Sequence, residues 1–204
     1  MLVELGAFHL KVNEPYTLSS NWLIPMYCDN RVMLSDPAAF DFAANQLQSL
    51  IYTHAPHAQM ISAVATAGIP WGSPVARAMK LPFSYVRSKP KDYGLNQLIE
   101  GRIVPGQEVV VVEDLITRGD SSLHAVRELR KAGAVVKGVV ALFTYDLPVA
   151  REAFIKEGVW LQTVTDYHAL IAAAEAAGKI LPADKLILTE WRKDPANWKP
   201  AVGA

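Results

Sequence analysis

Hydrophobic and polar positions change their rhythm at Asp36. Before it no period is sustained, because Asn13, Pro15, the pair Ser19-Ser20, Asn21 and Pro25 interrupt every apolar run. Residues 1–35 are therefore expected to form a small N-terminal hood rather than part of a main sheet. From Asp36 the pattern is helical. Asp36 is placed to cap, Pro37 suits a first helical position, and Phe40, Ala43, Ala44, Leu47 and Leu50/Ile51 recur on one face. Short, wholly apolar runs then alternate with helical stretches. Residues 60–64 precede a helix starting near Pro70, residues 83–86 lead into a polar stretch over 87–101, and Val109–Val112 leads through a turn to a helix over 122–132 that Gly133 ends. A strand from Val135 to Phe143 follows, then helices near 147–157 and 166–177, and a tail at 182–204 that reads as a closing helix and a loose end.

Strands apolar on both faces, alternating with helices, predict an α/β fold with a doubly wound, mostly parallel sheet. The expected organisation is a hood over 1–35, a core over 36–181 and a C-terminal helix and tail over 182–204. In such sheets ligands bind beyond the carboxyl ends of the strands, here at 64–69, 87–94 and 113–121.

Composition narrows the function. A chain of 204 residues, 51% hydrophobic, holds one domain with a small appendage. Twenty basic residues balance twenty acidic ones, which argues against a nucleic-acid or membrane-surface partner. Cys28 is the sole cysteine, so an intramolecular disulfide and a multi-cysteine metal site are excluded, and it reads as a small buried residue. The five histidines, 9, 54, 57, 124 and 168, show no metal-ligand spacing. No basic, then apolar, leader opens the chain, and no apolar run nears the roughly 20 residues that span a bilayer. The expected location is cytoplasmic. The zero net charge hides a segregation: residues 77–102 hold six basic and two acidic residues, a local excess of four positive charges.

The chemistry concentrates where the apolar strand 109–112 ends. Glu113 and Asp114 follow it, then Leu115, Ile116, Thr117, Arg118, Gly119, Asp120, Ser121 and Ser122. Adjacent acids at a strand end need hydroxyls, cations or metal to face. The turn after them gathers backbone N–H groups, hydroxyls and a helix dipole around one point, a cradle for phosphate. Acids for hydroxyls beside a cradle for phosphate describe a phosphorylated sugar. The plainer reading is a strand followed by a helix capped by Asp120 or Ser121. The glycines at 101 and 106 have P-loop spacing, but Gln107-Glu108 replaces the required Lys-Ser/Thr.

The segment 113–122 resembles the phosphoribosyl-pyrophosphate (PRPP) motif of type I phosphoribosyltransferases. More narrowly, the chain resembles the orotate phosphoribosyltransferases over most of its length. The likeness runs in order through 25–31 (Pro-Met-Tyr-Cys-Asp-Asn-Arg), 65–70 (Ala-Thr-Ala-Gly-Ile-Pro), 85–94 (Tyr-Val-Arg-Ser-Lys-Pro-Lys-Asp-Tyr-Gly), 99–101, 143–146 and 166–167. The resemblance implies transfer of ribose 5-phosphate from PRPP to orotate, giving orotidine 5′-monophosphate and pyrophosphate, with Mg2+ held through PRPP and no metal bound directly by the protein. It implies Glu113 and Asp114 on the ribose hydroxyls, and Thr117, Arg118, Gly119, Asp120 and Ser121 around the 5′-phosphate. Thr66 and Ala67 would meet the pyrophosphate. Arg87, Lys89, Lys91 and Tyr93 would belong to a basic lid that closes over the site of the neighbouring subunit in a homodimer, with Arg87 and Lys91 acting in catalysis. Ser20, Asn21, Trp22 and Tyr27 would hold the base.

This sequence departs from the family pattern at identifiable places. The orotate loop usually reads like Ser-Gly-x-Lys-Ser-Pro; here it is Ser20-Asn21-Trp22-Leu23-Ile24-Pro25. Asparagine still reaches the left-handed backbone region, but Leu23 removes a positive charge expected for an anionic base. Trp22 either stacks on a base or simply packs. Tyr93 replaces a lid histidine. Arg118 and Asp120 stand where small residues are common, and Asp120 brings about 1 kcal/mol or more of repulsion toward a phosphate at a few ångströms. These changes leave a second reading open: a protein of the same fold with a different base specificity, or a PRPP-binding regulator without turnover.

Overall fold

The computed structural model describes residues 1–18, 21–89 and 97–200. The chain divides into two compact units, one of Met1–Ser35 with Tyr167–Ala204, the other of Asp36–Asp166.

The N-terminal residues hold two small antiparallel pairs. Strand β1 (Phe8–Leu10) pairs with β4 (Met26–Cys28), and β2 (Tyr16–Thr17) with β3 (Leu23–Ile24). These strands are two or three residues long, too short for a hydrophobic period to betray them. At the β2–β3 connection Asn21 takes φ +62°, and its N–H donates to the Leu18 carbonyl at 2.9 Å. Asparagine thus supplies the left-handed conformation expected of the family's glycine. A 3₁₀ turn, Asn30–Ser35, follows.

The second unit is a sheet of six strands among the described residues. Asp36 accepts from the N–H groups of Ala38 and Ala39, both at 3.0 Å, and starts α1 (Pro37–His54) with Pro37 in its first turn. Then come β5 (Met60–Val64), α2 (Ile69–Met79), β6 (Phe83–Val86), β7 (Ile99–Glu100), β8 (Glu108–Ile116), α3 (Asp120–Lys131), β9 (Val135–Thr144), α4 (Pro148–Glu157) and β10 (Trp160–Asp166). The sheet order is β10-β9-β8-β5-β6-β7. Every pairing is parallel except β6 with β7. Helices α1 and α2 pack together and against the sheet, while Leu123, Val126 and Leu129 of α3 and Ala150 and Phe154 of α4 share a core with Val109, Val111 and Val139. The sheet is doubly wound, as its wholly apolar strands require: Val109, Val110, Val111 and Val112 are all fully buried.

Strand β10 was not expected between the two helices. Its residues Trp-Leu-Gln-Thr-Val-Thr-Asp are all half-buried, because it is an edge strand. It therefore shows neither the unbroken apolar run of a central strand nor clean alternation. Strand β7 similarly lies inside the stretch read as polar.

After β10 the chain returns to the first unit as α5 (Tyr167–Ala176) and α6 (Pro182–Lys193). Residues 167–181, assigned to the core from sequence, group with the N-terminal residues instead. The cause is visible in the first unit's own interior. Trp191 is 1% exposed, its ring lies 5.8 Å from that of Tyr167, and its Nε1 donates to the Leu23 carbonyl at 3.1 Å. The helix at 182–193 is thus fastened to β3. No helix among the described residues is long and apolar enough to cross a membrane.

Candidate active site

Parallel pairing brings the carboxyl ends of β5, β6, β8 and β9 to one edge of the sheet, and the phosphate-side candidates gather there. Successive strand residues face opposite sides. Val109 and Val111 of β8 pack with α3, whereas Val112 faces α2, where a methyl group added to Gly72 would lie 3.5 Å from its Cβ. The register with β9 runs without a shift from Val110 to Ile116. Glu113 therefore follows Val111 onto the α3 face, with its carboxyl still within hydrogen-bond reach of the neighbouring Asp114 side chain.

The two acids differ in environment. Glu113 is 5% exposed. Its Oε1 accepts from the Asp114 N–H at 3.0 Å, and its Oε2 accepts from the Ser122 hydroxyl at 3.3 Å. Burial, with the neighbouring Asp114 charge second, pushes the Glu113 carboxyl well above the ordinary carboxylate range. Asp114 is only half-buried. The sequence did not single out Ser122 as a site residue, yet it is 1% exposed and ties the start of α3 to the end of β8. Its signal was a hydroxyl at helical spacing with Val126 and Leu129, a polar residue on an apolar face.

Residues 117–121 turn the chain into α3. Gly119 occupies the N-cap at φ +85° with no side-chain cap. A Cβ there would fall 2.6 Å from the Phe154 ring, so glycine is required by backbone and by space alike. The Leu123 N–H returns to the Gly119 carbonyl at 2.9 Å. The N–H groups of Asp120, Ser121 and Ser122, in the first turn, therefore have no intrahelical acceptor. Thr117 is half-buried and Ser121 exposed. Arg118 and Asp120 pair with each other, Nε to Oδ2 at 3.1 Å.

The turn after β5 lies alongside, since Ala63 pairs with Val112. Thr66 is exposed, Ala67 half-buried, and the Ala65–Thr66 peptide is cis. Gly68 closes the turn where a Cβ would meet the Val112 carbonyl oxygen at 2.6 Å. Arg87 follows β6; its N–H donates to the Leu98 carbonyl at 2.9 Å, and its guanidinium lies 3.7 Å from Glu100. Lys89 is exposed. Lys91, Tyr93 and Ser20 lie outside the described residues.

The base-side candidates belong to the other unit. Asn21 and Trp22 sit at the β2–β3 connection, and the ring of Tyr27 in β4 lies 5.6 Å from that of Tyr16. Ile24, which replaces a polar residue of the family loop, is fully buried. Cys28 is 1% exposed, its thiol directed to Asn30 Oδ1 at 3.3 Å. Among the described residues no group of three or more His, Cys, Asp or Glu side chains is placed to hold a metal ion.

A model of the phosphoribosyl transferase domain matches residues 36–165, nearly the bounds of the second unit. The orotate phosphoribosyltransferase of Bacteroides thetaiotaomicron is 47% identical over 197 residues, covering 97% of this chain and 93% of that one. The chain belongs to the orotate phosphoribosyltransferase family. The Cytophaga hutchinsonii family member is 44% identical over 198 residues, covering 97% of this chain and 95% of its own. Among solved structures, the orotate phosphoribosyltransferase of Aeropyrum pernix superposes with a TM-score of 0.72 at 28% identity, covering 87% of this chain and 96% of that one. Family membership thus extends beyond the matched domain into the first unit.

The buried Glu113 gives this family member a pH signature. Its carboxyl holds its proton more tightly in the folded chain than at its ordinary value of 4.5. The stabilisation from that proton is complete below the ordinary value and is lost as pH rises through the folded one. The stability of the wild type relative to Glu113→Gln is expected to fall as pH rises from about 4.5, the unfolded carboxyl's value. Denaturant unfolding at a series of pH values measures it; a difference independent of pH would contradict the assignment.

Proposed function

We propose that the chain transfers ribose 5-phosphate from PRPP to orotate, releasing pyrophosphate and forming orotidine 5′-monophosphate, a glycosyltransferase step of pyrimidine biosynthesis. The observation that carries this reading is the junction of β8 and α3: a half-buried carboxylate beside helix N–H groups that lack an intrahelical acceptor, in a chain of this family. The bond between the ribose anomeric carbon and the pyrophosphate oxygen breaks. A ring nitrogen of orotate forms the new bond, and pyrophosphate carries away the electron pair.

Asp114 is assigned to the ribose hydroxyls and to the positive charge that develops on the ring as pyrophosphate leaves. Glu113, with both oxygens engaged inside the protein, acts by holding the Asp114 backbone and the α3 terminus in place. Thr117, Gly119 and Ser121, with the first N–H groups of α3, receive the 5′-phosphate. Thr66 and Ala67 offer backbone N–H groups to the pyrophosphate. Arg87, Lys89, Lys91 and Tyr93 are assigned to the lid, where basic charge favours a polyanion and closure excludes water. Asn21, Trp22 and Tyr27, with Ser20, are assigned to the base.

Mg2+ fits this donor set: it prefers oxygen ligands, keeps several waters and is usually held by one or two carboxylates with substrate phosphates. Here PRPP's own oxygens would hold the ion, with no ligand taken directly from the protein, and it would neutralise charge on the departing pyrophosphate. We place the reaction in the cytoplasm, in a homodimer whose lids cross between subunits.

Two experiments test these assignments. Purified protein with Mg2+, PRPP and a panel of bases is expected to release pyrophosphate with orotate. Release only with another base would select the altered-specificity reading, supported by Leu23 and buried Ile24, and binding without release would select the regulator. Secondly, mixing inactive Lys91→Ala and Asp114→Asn subunits is expected to restore activity through heterodimers that hold one intact site. Confirmed heterodimers that stay inactive would refute a shared lid.

A further inference from the structure

The turn at 117–121 already holds an anion of its own. Asp120 is the first residue of α3, its side chain is 68% exposed, and its Oδ2 lies 3.1 Å from Arg118 Nε. The carboxylate therefore sits at the helix end that favours negative charge, beside the N–H groups that lack intrahelical acceptors. Arg118 reaches it past Gly119, whose left-handed backbone at φ +85° turns the chain between them.

Asp120 has two opposed effects on an arriving phosphate. It orders the Arg118 guanidinium, and it repels a dianion. Ordering by an exposed ion pair is weak, because the long side chain resists being fixed and solvent screens the attraction. Repulsion between like charges a few ångströms apart is larger at low ionic strength. The second effect wins.

We propose that Asp120 is a built-in competitor for the 5′-phosphate position, and that Arg118 is the specificity-determining cation that exchanges this carboxylate for the ligand's phosphate. The proposal rests on the assignment of turn 117–121 to the 5′-phosphate. The carboxylate must release the guanidinium before a phosphate can pair with it. That exchange makes PRPP affinity a balance of two anions for one guanidinium, so that affinity depends on ionic strength.

The test compares the full-length wild type with Asp120→Asn, Arg118→Gln and the double variant, using inorganic phosphate and PRPP as calorimetric probes. Asp120→Asn is expected to bind both about three- to tenfold more tightly at low salt. Arg118→Gln is expected to bind both about tenfold more weakly. Near 0.5 M salt the gain from Asp120→Asn should fall below about twofold, because screening removes most of the repulsion. An Asp120→Asn protein that melts like wild type and binds phosphate no better would overturn the competition. Should that variant fold poorly, Asp120→Ser, which suits a helix start, carries the same expectation. A wild type that binds neither probe would instead refute the assignment of the turn, a separate outcome.

Discussion

A carboxyl group buried at the end of a central strand is the constraint on which the site depends. Glu113 lies on the same face as Val109 and Val111, where only apolar groups would be at ease, and it has partners for both oxygens. One is the N–H of the next residue and the other is the Ser122 hydroxyl, so a single side chain joins β8 to α3. The joint fixes the turn between them, and the turn presents the first N–H groups of the helix. An unpartnered carboxyl at this depth would cost several kcal/mol. The neighbouring Asp114 is only half-buried, though its side chain remains within reach of the Glu113 carboxyl. Two neighbouring acids thus acquire two different tasks.

The remaining groups follow from topology. Because β5, β6 and β8 run parallel, their following turns emerge at one edge, and the glycines at 68 and 119 admit no side chain there. Gly68 lets the turn after β5 close onto the Val112 carbonyl, while Gly119 lets α3 begin against Phe154. These are backbone devices. They explain how a chain that departs from its family at Arg118 and Asp120 keeps the shape of the turn, where those two side chains pair with each other.

Much of this architecture was legible in the sequence. The wholly apolar strands announced a parallel sheet covered on both faces, and Asp36-Pro37 announced the first core helix. What stayed hidden had physical reasons. Strand β10 lies at the sheet edge and mixes Thr and Gln with Trp and Leu. The hood strands are too short to show a period, and the placement of residues 167–181 depends on Tyr167 meeting Trp191, two dozen residues further on. At the site, the adjacency of Glu113 and Asp114 was plain in the sequence, but the difference in their burial, which the position of α3 over the end of β8 sets, was not. That Asn21 would take a left-handed conformation was readable from its side chain; that Ile24 would be buried was not.

The division between the two acids is tested most directly by steady-state pyrophosphate release from PRPP and orotate in Glu113→Gln and Asp114→Asn proteins of matched thermal stability. Glutamine is a neutral near-isostere of a protonated carboxyl, so Glu113→Gln is expected to keep kcat within about tenfold of wild type. Asp114→Asn is expected to lose about a hundredfold or more, the scale on which removal of one transition-state contact is felt. Equal losses in the two variants, or a greater loss from Glu113→Gln, would contradict the account.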